Sequence, residues 1–320
     1  MSVVGHESVG EIERIESKVR RQSIFARRAD FVELAKVKIT RMVMITAYIG
    51  YGFANDAGVS VFAWWLELFA MLIGVALACM SASVLNQLWE MDTDALMDRT
   101  KNRPLPTKRI TPKEALVFGL LLGVLGVGLL WYACNIISAL LCLGTIISYV
   151  LIYTPLKRIS PVALLVGAVP GAMPPVIGYA AGLSGHGMEV FTGSGFAAWS
   201  IFGIMFVWQV PHFLALAWMY RDDYAKANMP MLPVIDRDGS RTFMQILIGC
   251  LTLVPLGLLP TMIKISGMIY FFAALGCGLL FLWYGIKVVR EPSYERARSL
   301  FLASLVYLPV VLLFMLIDKM

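Results

Sequence analysis

The sequence predicts an all-α integral membrane protein, a bundle of nine transmembrane helices. Of its 320 residues, 59% are hydrophobic and 15% are charged, and its mean hydropathy is +0.75. Soluble domains have about 45–50% apolar and about 25% charged residues. Only helices and closed barrels satisfy the backbone in lipid. Because the alternation typical of barrel strands is missing, a helical bundle is expected.

Nine apolar runs have roughly the 20-residue length that a bilayer requires, and they end at polar or turn-forming clusters. Lys38 and Arg41 interrupt the first run. Gly167, Gly171 and Gly178 in the fifth run indicate close helix packing. The predicted spans are residues 38–54, 62–85, 114–132, 136–154, 162–182, 197–219, 243–262, 267–286 and 300–317.

The segment before the first run is polar and has no apolar core of the kind found in signal peptides. We expect residues 1–30 to form a polar arm, either a surface helix over residues 11–30 or a disordered tail, and residues 31–320 to form one membrane domain. Of the 27 lysine and arginine residues, 25 fall in residues 1–41 or in connections after even-numbered runs. The positive-inside rule therefore predicts a cytoplasmic N-terminus, cytoplasmic even-to-odd connections and a C-terminus outside.

The second run ends in an acidic stretch. Asn86, Glu90 and Asp94 are spaced four residues apart, so they would share one face of a helix. Oxygen ligands of this kind suit Mg²⁺, which is commonly shared with substrate phosphates. Asp92 and Asp98 would point elsewhere. The alternative is a solvated helix end whose carboxylates neutralise neighbouring arginines.

Cations follow these carboxylates and recur on two other connections. A divalent ion together with arginine side chains is the combination that holds a diphosphate and stabilises it as it leaves. For Lys157 and Arg158 the alternative is ordinary anchoring at the membrane surface. The candidate groups are Arg99, Lys101 and Arg103 after the second run, Tyr153 and Lys157 at the end of the fourth run, and Asp223 with Arg221 after the sixth run.

These motifs together resemble the UbiA superfamily of intramembrane prenyltransferases, and within it the protoheme IX farnesyltransferases, also called heme O synthases. The resemblance covers about residue 31 to the C-terminus. It is carried by N-x-x-x-E-x-x-x-D at 86–94, R-T-K-N-R-P-L at 99–105, Y-T-P-L-K at 153–157, P-G-A-M-P-P-V-I-G-Y at 170–179, W-Q-V-P-H-F-L-A-L-A-W at 208–218 and R-D-D-Y-A-K-A-N-M-P-M-L-P-V at 221–234.

The resemblance implies a nine-helix enzyme of the bacterial plasma membrane that joins farnesyl diphosphate to a vinyl group of heme b with the help of Mg²⁺. Matched residue by residue, Asn86, Glu90, Asp94 and Asp223 would carry metal and catalysis. Arg99, Lys101, Arg103, Tyr153 and Lys157 would bind diphosphate. The first motif has Glu90 where many members have aspartate, and Ala227 stands where the wider superfamily has a further aspartate, which leaves the number of Mg²⁺ ions open.

His212 is the one histidine inside an apolar run, and imidazole is a common ligand of heme iron. Pro211 before it is expected to disturb the helix. With the resemblance, His212 and Trp208 become candidates for binding heme, and Arg158 and Arg221 for its propionates. The alternative is a histidine hydrogen-bonded to a neighbouring helix.

Two rival functions are open. A related prenyltransferase could use a quinone-type aromatic acceptor, although the stretch from Trp208 to Trp218 favours heme. A cation-coupled transporter would place its acids near the middle of the membrane, whereas here they cluster at one end of the predicted bundle. A heme A synthase or a terminal oxidase is the expected protein partner, and no nucleic acid is expected.

Overall fold

The computed structural model describes residues 27–54, 60–183 and 187–320, and within these the chain is almost entirely helical. The predicted helical-bundle class is thereby confirmed. Most of the expected polar arm, residues 1–26, lies outside the described part, as do His6 and His186. Residues 27–34 form a helix that packs through Leu34 against the second and third predicted spans.

In the described parts of the chain, nine longer helices follow in the order that the apolar runs predict, and their ends differ from the predicted ends by up to six residues. They are α1 (Val37–Phe53), α2 (Val61–Trp89), α3 (Pro112–Ala133), α4 (Ile136–Ile147, continued by Ser148–Tyr153 and Thr154–Leu156), α5 (Ala163–Ala172 and Pro174–Ala181), α6 (Phe196–Met219), α7 (Ser240–Met262), α8 (Met268–Arg290) and α9 (Tyr294–Ile317).

Eight of these helices, α2 to α9, have the length and apolar composition needed to cross a bilayer. Helix α1 has 17 residues, slightly fewer than a bilayer span usually needs. Large apolar side chains such as Phe62 and Val124 are exposed on the outer surface, where lipid would cover them. Within the described residues the predicted nine-helix architecture therefore holds.

Polar residues between the apolar runs start the helices by capping their free N–H groups. Thr111 forms a capping box with Glu114 at the start of α3. Ser60, Asn135 and Ser293 each accept a hydrogen bond from a backbone N–H three residues ahead, at the starts of α2, α4 and α9. These caps explain why the helices start at these residues.

Helix α6 lies at the centre of the largest hydrophobic core and contacts α5, α7 and α9. Its residues Ile201, Ile204 and Leu214 are fully buried. Helix α1 instead packs against α5, and glycines allow a very close approach there. A Cβ atom on Gly178 would lie 1.9 Å from the carbonyl oxygen of Ala47, and one on Gly50 would lie 1.9 Å from that of Pro175.

Replacing Gly178 by alanine is expected to destabilise the protein by about 1–3 kcal/mol, because the new methyl group would collide with the backbone of α1. Thermal unfolding of the purified protein in detergent measures the change. Gly144→Ala on α4 is the matched control, since a Cβ there meets nothing within 4 Å and alanine favours helix. An unchanged melting temperature for Gly178→Ala would contradict the packing at this contact.

Candidate active site

The acidic stretch lies where α2 ends. Helix α2 runs to Trp89, Glu90 is its C-terminal cap, and a short turn Met91–Asp94 follows. The backbone N–H of Glu90 donates to the carbonyl of Asn86 over 3.0 Å, and that of Asp94 donates to the carbonyl of Glu90 over 2.7 Å. Helical spacing thus persists through the cap. Asn86, Glu90 and Asp94 are 2%, 4% and 1% exposed, so all three face the interior.

Each of the two buried carboxylates forms an ion pair. Lys157, just after α4, places its Nζ 2.6 Å from Oε1 of Glu90. Arg103, on the connection between α2 and α3, places Nη1 2.7 Å from Oδ2 of Asp94. Because all four side chains are buried or largely buried, removing one partner would leave an uncompensated charge, which costs about 3–5 kcal/mol in other proteins.

Asn86 is held by α4. Its Nδ2 donates to Oγ1 of Thr154 over 3.0 Å, and that hydroxyl donates to the carbonyl of Tyr149 over 2.8 Å. Residues Ser148–Tyr153 form a π-helical turn, which is common at functional sites. The amide nitrogen of Asn86 is therefore committed to α4, and its carbonyl oxygen Oδ1 has no partner among the described residues.

Asp223, after α6, joins the same face of the bundle. The backbone N–H of Arg99 donates to its Oδ2 over 3.4 Å, and Lys226 Nζ lies 3.8 Å from its Oδ1. The Asp223 side chain is 15% exposed, whereas that of the adjacent Asp222 is 92% exposed. The guanidinium of Arg99 lies over the ring of Tyr220, 4.9 Å from its centroid.

Lys36 is a site residue that the sequence analysis did not identify. It precedes α1 in a left-handed conformation with φ 47° and ψ 50°. Burial, together with the positive charge of Arg103, lowers the pKa of Lys36 to about 8, and Glu90 and Asp94 also act on it electrostatically. Among the described residues its ammonium has no hydrogen bond or ion pair. In the sequence nothing separates it from the exposed Lys38.

Two predicted residues pair away from the buried carboxylates. Lys101 binds Asp98 over 2.7 Å, and with Lys226 it holds the pKa of Asp98 at about 2. Arg158 donates to both oxygens of Asp92, over 2.6 and 3.1 Å. Lys101 and Asp98 are more than half exposed, so these pairs lie at the rim of the site.

Tyr153 lines the interior beside Lys157. A Cβ atom on Gly167 would lie 2.4 Å from the Tyr153 ring, so only glycine at this position leaves room for the ring. The ammonium of Lys157 lies 5.5 Å from the ring centroid, and the Tyr149 ring is 5.0 Å away. The site therefore has an aromatic wall next to its cations.

His212 lies further along α6. It is stacked between Trp208 and Phe301, with ring centroids 4.7 and 4.8 Å away, and its Nδ1 is 2.6 Å from Oγ of Ser304 on α9. Helix α6 continues through Pro211, so the disturbance expected there does not end the helix. Arg221 lies over the ring of Trp218 at 4.5 Å. Contact of His212, Trp208, Arg158 and Arg221 with heme stays a prediction.

The donor set suits a divalent ion only when it is shared with a ligand. Within residues 27–54, 60–183 and 187–320, no three histidine, cysteine, aspartate or glutamate side chains form a cluster that could hold a metal. Glu90, Asp94 and the free Oδ1 of Asn86 are hard oxygen donors, as Mg²⁺ requires, and Mg²⁺ usually completes its shell with water and substrate phosphates.

Comparison with known proteins gives consistent results. The sequence profile of the UbiA prenyltransferase family matches residues 43–309. A protein from Solibacter usitatus named protoheme IX farnesyltransferase is 40% identical, over 91% of this chain and 98% of its own. A relative of the same name from Koribacter versatilis is 37% identical, over 94% and 96%.

Solved structures share the fold. A digeranylgeranylglyceryl phosphate synthase matches with a TM-score of 0.73 at 19% identity, covering 92% of this chain and 98% of that one. A UbiA homologue from Archaeoglobus fulgidus, bound to DMAPP and Mg²⁺, matches with a TM-score of 0.55 at 17% identity, covering 89% and 99%. At these identities the likeness concerns the helical architecture alone.

Proposed function

The chain belongs to the UbiA prenyltransferase family, and on that premise we propose that it transfers the farnesyl group of farnesyl diphosphate to a vinyl group of heme b. The product would be heme O, released with free diphosphate. The relatives' names support the acceptor. The observation that carries the reaction class is the pair of buried carboxylates, Glu90 and Asp94, each held by a cation from elsewhere in the chain.

The ion pairs suggest how the diphosphate is bound. Mg²⁺, when bound, neutralises charge on the diphosphate as its bond to carbon breaks. Asn86, Glu90 and Asp94 would hold this ion, and Asp223 would be a further acidic ligand. Lys157 and Arg103 would then exchange their carboxylate partners for phosphate oxygens, with Arg99 and Tyr153 beside them.

The chemistry divides into three bond changes. The carbon–oxygen bond of farnesyl diphosphate breaks, and the electron pair leaves with diphosphate to give an allylic cation. The vinyl carbon of heme b attacks this cation, and water then adds to the new cation beside the porphyrin ring and loses a proton. The rings of Tyr149 and Tyr153 lie where they could stabilise an allylic cation through their faces.

The charge distribution supports an orientation in a bacterial plasma membrane. The ends of α2, α4 and α6 carry the site and the cations, so this face would be cytoplasmic and the C-terminus outside. A heme A synthase or a terminal oxidase would receive the product. The acids lie at one end of the bundle, as a soluble diphosphate substrate requires and a transporter's mid-membrane site does not.

The proposal is tested with the purified protein in lipid nanodiscs, supplied with heme b, farnesyl diphosphate and Mg²⁺. Mass spectrometry should detect heme carrying a hydroxyethylfarnesyl side chain. A parallel reaction supplies a quinone-precursor aromatic acid. If the aromatic acid is prenylated and heme is not, the acceptor is of the quinone type and heme b is excluded. If neither acceptor yields a product, the proposed reaction is contradicted.

Lys36→Met is expected to raise the KM for farnesyl diphosphate by about 10-fold. The unpaired ammonium is within electrostatic reach of Glu90, Asp94, Arg103 and Lys157, and a phosphate oxygen would give it a charge-assisted hydrogen bond. Steady-state kinetics with varied farnesyl diphosphate measure the change. Lys38→Met, which removes an exposed lysine two residues on, is the control. Equal KM values for the two variants would exclude Lys36 from the diphosphate site.

A further inference from the structure

The contact between His212 on α6 and Ser304 on α9 determines which imidazole nitrogen carries the proton. Nδ1 of His212 lies 2.6 Å from Oγ of Ser304. That same oxygen lies 2.5 Å from the carbonyl oxygen of Phe301, one turn earlier on α9. Both contacts are within hydrogen-bond distance, so the serine hydroxyl takes part in two hydrogen bonds at once.

Only one arrangement of protons satisfies both contacts. A carbonyl oxygen can only accept, so the single hydroxyl proton of Ser304 must point to Phe301. If it pointed to His212 instead, two oxygen atoms with facing lone pairs would lie 2.5 Å apart. With the hydroxyl proton committed to the carbonyl, Oγ accepts from His212, and Nδ1 is the protonated nitrogen. In a neutral imidazole, Nε2 then carries the lone pair.

The imidazole is also fixed in orientation. The rings of Trp208 and Phe301 lie on either side of it, at interplanar angles of 22° and 28°. The indole N–H of Trp208 donates to the backbone carbonyl of Ser304 over 2.9 Å, which ties α6 to α9 at the same level. The ring therefore has little freedom to rotate.

Nε2 of His212 has no hydrogen-bond partner among the described residues, and it is not fully buried. His212 as a whole is 7% exposed. A neutral histidine with a fixed Nδ1–H and an accessible Nε2 is prepared to ligate a metal, because second-sphere hydrogen bonds at the other nitrogen orient ligating histidines.

We infer that Ser304 is a positioning residue that holds His212 as the Nδ1–H tautomer, so that Nε2 is presented to the iron of the porphyrin acceptor. This inference rests on the proposed function, in which heme b is the substrate. Ser304 contacts no substrate itself. It acts through His212, by accepting the Nδ1–H hydrogen bond and by passing its own proton to the α9 backbone.

The first test needs neither heme nor farnesyl diphosphate. The protein is labelled with ¹⁵N-histidine, and the imidazole nitrogens are observed by NMR. The chain has three histidines, so comparison with His212→Ala assigns the His212 resonances. A protonated Nδ1 and an unprotonated Nε2 are expected, with a shift toward mixed tautomers in Ser304→Ala. A protonated Nε2 in the wild-type protein would overturn the inference whatever the enzyme does.

The second test measures heme b binding by absorbance titration and by resonance Raman spectroscopy of the ferrous complex. The wild-type protein should show an iron–histidine stretching band that His212→Ala loses. Ser304→Ala should raise the dissociation constant of heme about 10-fold and lower the frequency of that band, because Nδ1–H loses its acceptor. Ser304→Thr, which keeps the hydroxyl, should restore the frequency.

Ser299→Ala is the matched control. Ser299 lies on α9 and donates to the carbonyl of Glu295 over 2.8 Å, so its removal deletes a similar hydroxyl that forms no hydrogen bond with His212. A wild-type protein that farnesylates heme but shows no iron–histidine band would overturn the inference and leave the proposed function intact. Unchanged affinity and band frequency in Ser304→Ala would also overturn it. If His212 has the expected tautomer but the protein makes no product, the proposed function is contradicted and the role of Ser304 in fixing the tautomer is not.

Discussion

Replacing Glu90 by glutamine is expected to lower kcat/KM for farnesyl diphosphate by about 100- to 1,000-fold, the loss typical of removing one preorganised electrostatic group. Glutamine keeps the size of the side chain and removes its charge. Without a carboxylate partner, Lys157 would bind the phosphate oxygens of the bound substrate as well as those of the departing diphosphate. Its charge would then no longer favour the transition state. Radiolabelled farnesyl transfer to heme b, with both substrates varied, measures the change.

The same substitution has a structural cost that must be separated from the catalytic one. Glu90 is 4% exposed, and its loss leaves the buried ammonium of Lys157 unpaired, which costs about 3–5 kcal/mol in comparable sites. The double variant Glu90→Gln/Lys157→Met removes both charges and should recover much of the melting temperature. It should remain inactive, because it lacks both the carboxylate and the ammonium.

Asp92→Asn is the control for Glu90→Gln. Asp92 lies two residues away, its side chain is 62% exposed, and it binds Arg158 at the rim. Its substitution should change kcat/KM by less than about threefold, since exposed ion pairs contribute little. Equal losses in Asp92→Asn and Glu90→Gln would mean that negative charge in the whole stretch matters, and that Glu90 has no special role.

The sequence was sufficient to predict the helices and the inner face of the acidic stretch. Apolar runs of bilayer length predict α2 to α9 because lipid imposes the same length on every span. Four-residue spacing predicts that Asn86, Glu90 and Asp94 share a face because Glu90 continues the helical hydrogen bonds, even though it ends α2. The separate position of Asp92 follows from the same periodicity.

Contacts between distant parts of the chain could not be predicted in this way. Glu90 and Asp94 act electrostatically on Lys36, which interrupts the helix before α1 with a left-handed conformation that no local pattern requires of a lysine. Ser304 meets His212 across 92 positions. Arg158 was expected near heme propionates, and the structure places it on Asp92, a pairing that depends on how α2 and α4 end side by side.

The connections after α2 and α6 meet through two kinds of contact. Met97 packs with Met229 and Met231 in a small buried cluster, and the exposed carboxylate of Asp98 binds Lys226. Together they bring the N–H of Arg99 to Asp223. These contacts hold the two connections together without the charge of Asp223. A substitution that removes only this charge can therefore be tested without separating the connections.

Asp223→Asn is expected to lower kcat/KM for farnesyl diphosphate by about 100-fold. Asparagine keeps an oxygen that can accept from the N–H of Arg99, so the fold and the contact between the connections should persist. The negative charge is lost, and with it a hard ligand for a divalent ion. The concentration of Mg²⁺ that gives half-maximal activity should rise in parallel, which a defect in folding would not produce.

Asp222→Asn is the matched control, because Asp222 precedes Asp223 and is 92% exposed with one loose pairing to Arg221 at 3.9 Å. It should leave both the rate and the Mg²⁺ requirement unchanged. The comparison isolates position, since both variants remove one negative charge from the same turn. If Asp223→Asn leaves the rate and the Mg²⁺ requirement as unchanged as Asp222→Asn does, the acidic stretch at the end of α2 holds the metal without help from α6. A loss confined to Asp223→Asn would instead make the metal site a joint product of the two connections, with Met97, Met229 and Met231 fixing the distance between its halves.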